Sequence, residues 1–272
     1  MRVVLLIGNA PNHIALSNKV ANLYNVVGIV KETRIKKHNF KYKNIIEKII
    51  ERIFLSFIIR SWNYLQAYCK QRFPNLPNVQ TLSVNNINEG EVYCFVKDKK
   101  PDLIIVSGTS IIKDKLLSIY TSIGILNLHT GISPYMKGGP NCTNWCIALR
   151  KPYLIGNTIM WIDNGIDSGN ILTTEFTKLN GDENLKQIHI KVMEHAHELF
   201  LESIRYVADG GRQSIKQAYI SKGCIFYNNQ WKLKQKVILV KNLKYFKNIY
   251  KSSLVSSYRK GIKTIPLKTK KI

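Results

Sequence analysis

Apolar and polar positions divide the chain into short runs of two kinds. Arg2–Gly8 (RVVLLIG) is an unbroken apolar run rich in branched residues, as a strand buried on both faces requires. Asn9 to Asn12 break it. A helix is predicted over 13–23 with Asn12 as its cap, and 26–30 (VVGIV) reads as the next strand. Strand, helix and strand in about thirty residues have the size of a βαβ unit. No GxGxxG follows the first strand, so the dinucleotide fingerprint is absent. Further strands are predicted at 79–84, 102–107, 123–129, 155–162 and 171–176. Helices are predicted at 89–99, 113–120 and 144–149, with a long one inside 181–210. This alternation predicts an α/β fold, a Rossmann-like, mostly parallel twisted sheet flanked by helices.

Residues 44–60 (NIIEKIIERIFLSFIIR) carry apolar side chains at helical spacing and so predict a wide helical face. Basic neighbours would allow a membrane-surface role, but Glu47 and Glu51 on the polar side suit an anionic surface poorly. A helix packed on the sheet or at a dimer contact is the preferred reading.

Composition changes the picture at the C-terminal end. The chain has 272 residues, 41 Lys and Arg against 17 Asp and Glu, and a formal charge of +24. That balance favours anionic partners: nucleic acid, a membrane surface, or phosphorylated and carboxylated small molecules. Residues 211–272 contain no Asp or Glu. The expected division is a domain over 1–210 and a small basic extension over 211–272, with a hairpin near 223–231, then a helix and a loose tail. The five cysteines include no CxxC pair, so free thiols in a reducing compartment are expected. The first apolar run is too short for a signal core or a membrane span, and a cytoplasmic location is expected by default.

Candidate chemistry sits in GILNLHTGISPYMKGG, residues 124–139. Strand residues i and i+2 share a face, so Asn127 and His129 point the same way. They stand at the carboxyl end of a predicted parallel strand, the edge where open α/β sheets bind ligands. Asn is a neutral donor suited to a developing oxyanion, and His moves protons near neutral pH. The plain alternative is a strand end with two hydrogen-bonded polar residues. A third group could come from IMWIDNGIDSGNI, residues 159–171, where Asp163 and Asp167 lie in an Asx/Gly-rich loop; turn capping is the alternative there. His195 and His197 do not share a helix face, and Cys142 with Cys146 has no nearby His partner, so no metal site is expected.

The order Asn127-Leu128-His129, Ser133-Pro134, Lys137-Gly138 and Gly165-Ile166-Asp167-Ser168-Gly169 resembles the folate-dependent formyltransferases. Those include the purine-synthesis transformylase, methionyl-tRNA formyltransferase and the sugar-nucleotide N-formyltransferases. The likeness runs from about 101 to 210, and more weakly over 1–30. It implies transfer of a formyl group from 10-formyltetrahydrofolate to an amine without a metal. It also implies Asn127, His129 and Asp167 as the catalytic set, because Asp167 matches the family Asp and Asp163 does not. Folate contacts map onto Ile111, Ile112 and Lys113, and onto Asn164, Gly165 and Ile166. Substrate contacts map onto Ser133, Pro134, Tyr135, Lys137 and Gly138. Met160 stands where the family often has His, and one extra residue lies between Gly138 and Trp145.

The resemblance also bears on the acceptor. The methionyl-tRNA enzymes carry a C-terminal barrel of about a hundred residues, more than 211–272 would hold. The purine enzyme ends near the long helix and has a phosphate loop richer in Gly and Ser than Gly8-Asn9-Ala10-Pro11-Asn12. The family's hydrolases add an N-terminal regulatory domain, whereas Met1 opens directly into the first strand. Length, the inserted helical segment and the phrase Gly223-Cys224-Ile225-Phe226-Tyr227 before Trp231 are most like the sugar-nucleotide enzymes. The expected partners are therefore folate and a dTDP- or UDP-linked amino sugar, with a homodimer possible.

Overall fold

The computed structural model describes residues 1–34, 49, 51–53, 55–252 and 254–268. Nine strands are present among them: β1 (Arg2–Gly8), β2 (Asn25–Glu32), β3 (Thr81–Val84), β4 (Leu103–Ser107), β5 (Gly124–His129), β6 (Lys137–Gly138), β7 (Gly156–Trp161), β8 (Ile171–Phe176) and β9 (Ile225–Phe226). The helices that concern the site are α1 (Pro11–Ala21), α2 (Ser56–Arg72), α3 (Gly90–Asp98), α4 (Asp114–Leu117), α5 (Cys142–Ala148), α6 (Leu185–Ala208), α7 (Leu233–Lys251) and α8 (Leu254–Arg259).

Seven strands form one sheet in the order β3-β2-β1-β4-β5-β7-β8. β3, β2, β1, β4 and β5 are mutually parallel, whereas β7 runs against both β5 and β8. The fold is the mostly parallel α/β sheet that the alternation predicts. Its order reverses between β1 and β4, which opens a crevice at the strands' carboxyl ends.

Period-two alternation fills both faces. Val3, Leu5, Ile7, Leu103 and Ile105 pack with Leu16, Val20, Phe200 and Ile204 of α1 and α6. Val4, Leu6, Ile104 and Val106 pack with Val92, Val96 and Leu116 of α3 and α4. β1 and β4 bury both sides, and a shift of one residue would exchange the residues packed on the two faces. A third cluster joins α5 to α7 through Trp145, Ile147, Leu239 and Phe246.

Four expectations need correction or bounds. Ala10, not Asn12, flanks α1, because Pro11 takes the first helical position; Asn12 is buried, with Nδ2 3.8 Å from Met193 Sδ. Of the helix expected over 44–60, residues 44–48, 50 and 54 lie outside the described residues; 49, 51–53 and 56–60 are helical, and α2 carries the pattern on to Arg72 against α1 and α6. No hairpin forms over 223–231: β9 pairs in parallel with β6, whose Gly138 turns the chain at φ +81°. A side chain at Gly138 would run into the Phe226 carbonyl, so close approach of the backbones selects the pairing. The extension is also not loose up to Lys268, since Thr174 donates its N–H to the Ile265 carbonyl at 2.8 Å; residues 269–272 lie outside the described residues.

Candidate active site

β5 places the site. Asn127 lies opposite Val106 of β4 and Met160 of β7, and His129 lies opposite Thr158. Both side chains reach the same carboxylate, as period two requires. Asn127 Nδ2 donates to Asp167 Oδ1 at 3.3 Å, and His129 Nδ1 stands 3.2 Å from Asp167 Oδ2. The backbone N–H of Gly138 adds a third donor to Asp167 Oδ2 at 2.9 Å.

Asp167 is held from behind. Its backbone is left-handed at φ +46°, an uncommon state for a residue with a side chain. Gln217 Nε2 donates to the carbonyls of Asp167 (2.7 Å) and Gly169 (2.8 Å) and so fixes the turn. Asp163, four residues earlier, does something else. Its Oδ1 accepts from Gly165 N at 3.0 Å and Ser168 Oγ at 2.6 Å, which is the turn-capping alternative.

His129 is withdrawn from water, beneath Gly131 and beside Cys142, whose Sγ lies 3.7 Å from Nε2. Nε2 faces the Met136 carbonyl at 2.9 Å. Burial disfavours the charged ring, but the Asp167 carboxylate, then Cys142 and the Met136 carbonyl, outweigh it and raise the pKa to about 10. An imidazolium with both N–H groups committed is therefore the form at neutral pH.

A cavity of about 490 Å³ opens over this group. Its floor includes Val106, Asn127, Leu128 and Met160, and its walls are the 108–112 and 163–169 segments. Asp167 is on the wall; His129 stands behind it and contributes no surface. Ile111, Ile112, Gly165 and Ile166 of the expected folate contacts line the cavity, while Lys113 and Asn164 do not. Lys113 instead donates its N–H to Asn88 Oδ1 at 2.8 Å, ahead of α4.

Of the expected substrate contacts, Gly138 alone lines the cavity. Ser133, Pro134 and Lys137 are buried under the loop that follows β5. Thr158 Oγ1 pins that loop, donating to Gly131 O at 2.6 Å and accepting from Ser133 N at 3.0 Å. Tyr135 Oη accepts from Lys263 N at 3.1 Å, away from the cavity. These residues build the loop that follows β5.

The missing wall comes from the C-terminal extension: Phe226, Tyr227 and Asn228 line the cavity beside Gly138, Gly139 and Pro140. Trp145 stacks on Phe226 with centroids 4.6 Å apart and anchors this wall to α5. Gln217 and Arg34 also belong to the site region, and nothing local in the sequence marks either. Among the described residues no His, Cys, Asp or Glu cluster is arranged to hold a metal ion. His197 is a buried packing residue, and His195 Nδ1 lies 2.9 Å from Asn157 Nδ2. The five cysteines are free.

The sequence matches the Formyl transferase family over residues 66–204, about half the chain. The chain belongs to the formyl transferase family. Among its relatives are methionyl-tRNA formyltransferases from Clostridium tetani, 28% identical over 141 residues, and from Clostridium perfringens strain 13, 30% identical over 131 residues. The matches take in 52% and 48% of this chain but 45% and 41% of those proteins, so the chain spans less than half of their length. In three dimensions it is similar to a 4-N formyltransferase from Francisella tularensis (TM-score 0.56, 17% identity, 89% of this chain and 87% of that one). It is likewise similar to a sugar N-formyltransferase from a Shewanella species (0.54, 13%, 89% and 88%) and to phosphoribosylglycinamide formyltransferase from Bacillus halodurans (0.52, 17%, 76% and 95%). At these identities the likeness is one of fold. No helix among the described residues is long and apolar enough to cross a membrane.

Proposed function

We propose that the protein transfers a formyl group from 10-formyltetrahydrofolate to the amine of a nucleotide-linked amino sugar. The observation that carries the chemistry is the convergence of Asn127, His129 and Gly138 N–H on Asp167 in the cavity wall. The cavity fits the folate: a flat pterin needs apolar faces and polar edges, and Val106 and Met160 lie between two stretches of loop backbone.

In this reading Asn127 holds, through its second amide N–H, the oxygen that gains charge as the amine nitrogen bonds to the formyl carbon. Asp167 receives the proton the amine must lose. His129 carries a positive charge 3.2 Å from the Asp167 carboxylate and offsets the new negative charge. The carbon–nitrogen bond to the folate then breaks, its nitrogen takes a proton, and tetrahydrofolate leaves with the formamide formed.

The acceptor assignment rests on shape. The fold is shared over nearly nine-tenths of both chains with the 4-N and sugar N-formyltransferases, and the extension supplies a cavity wall. Identity to the methionyl-tRNA enzymes, with a charge of +24, favours a tRNA as the second reading. Mass spectrometry of dTDP- and UDP-amino sugars incubated with 10-formyltetrahydrofolate separates the two. A single formyl gain on one sugar is expected. Formylation of methionyl-tRNA with no sugar modified would overturn the assignment.

A further inference from the structure

Arg34 follows β2 at the carboxyl edge of the sheet and lines the cavity, with its side chain 52% exposed. Two contacts fix its plane. Nε donates to Glu32 Oε2 at 2.9 Å, and Nη2 donates to the Gly108 carbonyl at 3.0 Å. Nη1 has no hydrogen-bond partner among the described residues.

Glu32 is not itself a ligand group. Its side chain is fully buried, and it also accepts from Ile87 N at 2.9 Å and Ser110 N at 2.6 Å. Buried carboxylates are costly unless well satisfied, and this one spends its oxygens on two backbone amides and one guanidinium. It therefore serves as a mount that aims Arg34 across the mouth of the crevice. Arg34 is the one Lys or Arg among the described residues lining the cavity, against Asp163 and Asp167 on the far wall. A half-exposed, pre-aimed guanidinium is suited to a planar two-point contact with an anion.

Arg34 is tied to Gly108, two residues beyond Val106, and Val106 is paired with Asn127 across one strand spacing of about 4.8 Å. Arg34 leaves β2, three strands from β5 in the sheet, so its guanidinium meets the far end of an acceptor whose amine lies at Asn127.

We propose that Arg34 is an anion anchor that binds the diphosphate of the nucleotide-linked acceptor and sets which amine reaches Asn127. This rests on the acceptor reading above and deepens it. The ligand has the chemistry of a nucleoside diphosphate. The carboxylates of the folate tail are the other source of a similar anion, and the kinetics separate them.

The test uses the full chain with Arg34→Ala and Arg34→Lys. UDP, dTDP and inorganic pyrophosphate binding is measured by calorimetry, and KM is measured for the accepted nucleotide sugar and for 10-formyltetrahydrofolate. Arg34→Ala is expected to weaken diphosphate binding and raise the acceptor KM by roughly ten- to a hundredfold. The folate KM and kcat should stay near the parent's, which also shows that the fold is intact. Arg34→Lys should restore part of the affinity, because charge returns without the fork. Equal diphosphate binding by parent and Arg34→Ala overturns the proposal, and so does a rise confined to the folate KM. If diphosphates bind through Arg34 yet no sugar is formylated, the anchor stands and the acceptor reading fails. If sugars are formylated with an unchanged acceptor KM in Arg34→Ala, the reverse holds.

Discussion

Two imidazoles stand near the same edge of the sheet and carry opposite charge states. His13, in the first turn of α1, packs its ring against Gly8 and Gly108 and meets Ser107 Oγ at 2.9 Å. Loss of water, then the positive Arg34 nearby, push its pKa down to about 4. His129, at the end of β5, also loses water, yet its pKa rises to about 10 because Asp167 stands 3.2 Å away. Withdrawal from solvent acts the same way on both rings. One neighbour's charge decides between a neutral spacer and a stored imidazolium.

Removing that neighbour's charge should collapse the difference. Asp167→Asn is expected to lower formyl transfer by roughly 10²–10⁴-fold and to bring the His129 pKa below its ordinary value, read by NMR titration of the ring. His129→Ala should cost a comparable share of turnover with the fold intact by circular dichroism. Near-parent turnover in either variant would remove that residue from the mechanism.

The two states also predict opposite pH limbs for stability. His13 and His189 are lowered to about 4 and His197 further, in each case mainly by burial. Their contribution is whole above an unfolded pKa of about 6.5 and is lost as pH falls toward 4. His129 has a raised pKa, so its contribution is whole below about 6.5 and fades as pH rises through about 10. Urea unfolding between pH 4 and 10 should show a maximum near neutrality, with an acid-side fall of several kcal/mol on the order set by linkage. In Asp167→Asn the alkaline fall due to His129 should vanish, and its persistence would contradict the assignment.

Smaller effects should sort the supporting residues. Gln217→Ala frees the backbone of Asp167 and is expected to cut kcat by about tenfold through misplacement. Asp163→Asn keeps a turn-capping acceptor and should change turnover by less than about threefold and stability by about 0.5 kcal/mol or less. A larger loss at Asp163 than at Gln217 would mean that the wrong carboxylate has been placed at the centre.

Much of this was legible in the residues. The buried apolar runs place β1 and β4, and the period of two puts Asn127 and His129 on one side of β5. The choice of Asp167 over Asp163 came from resemblance, since both lie in one turn-rich loop, and coordinates show why they differ: three donors converge on the first, and the second closes its own turn. Ser133, Pro134 and Lys137 came from the resemblance, and the sequence does not show that their loop folds inward onto Thr158 and the extension. Gln217, Arg34 and the Phe226 wall left no local mark. Each has at least one partner dozens of residues away, and a two-residue strand such as β9 carries too little pattern to reveal its partner.

By itself, then, the sequence determined the seven strands of the main sheet, most of the helices that cover them, and that Asn127 and His129 share one face of β5. Those properties follow from local periodicity and the burial of apolar surface. The tertiary structure decided which carboxylate completes the group, that His129 is charged while His13 is neutral, and that the C-terminal segment closes the cavity. Those outcomes depend on distances of about 3 Å between residues far apart in the chain, where electrostatic and hydrogen-bond energies change steeply with position.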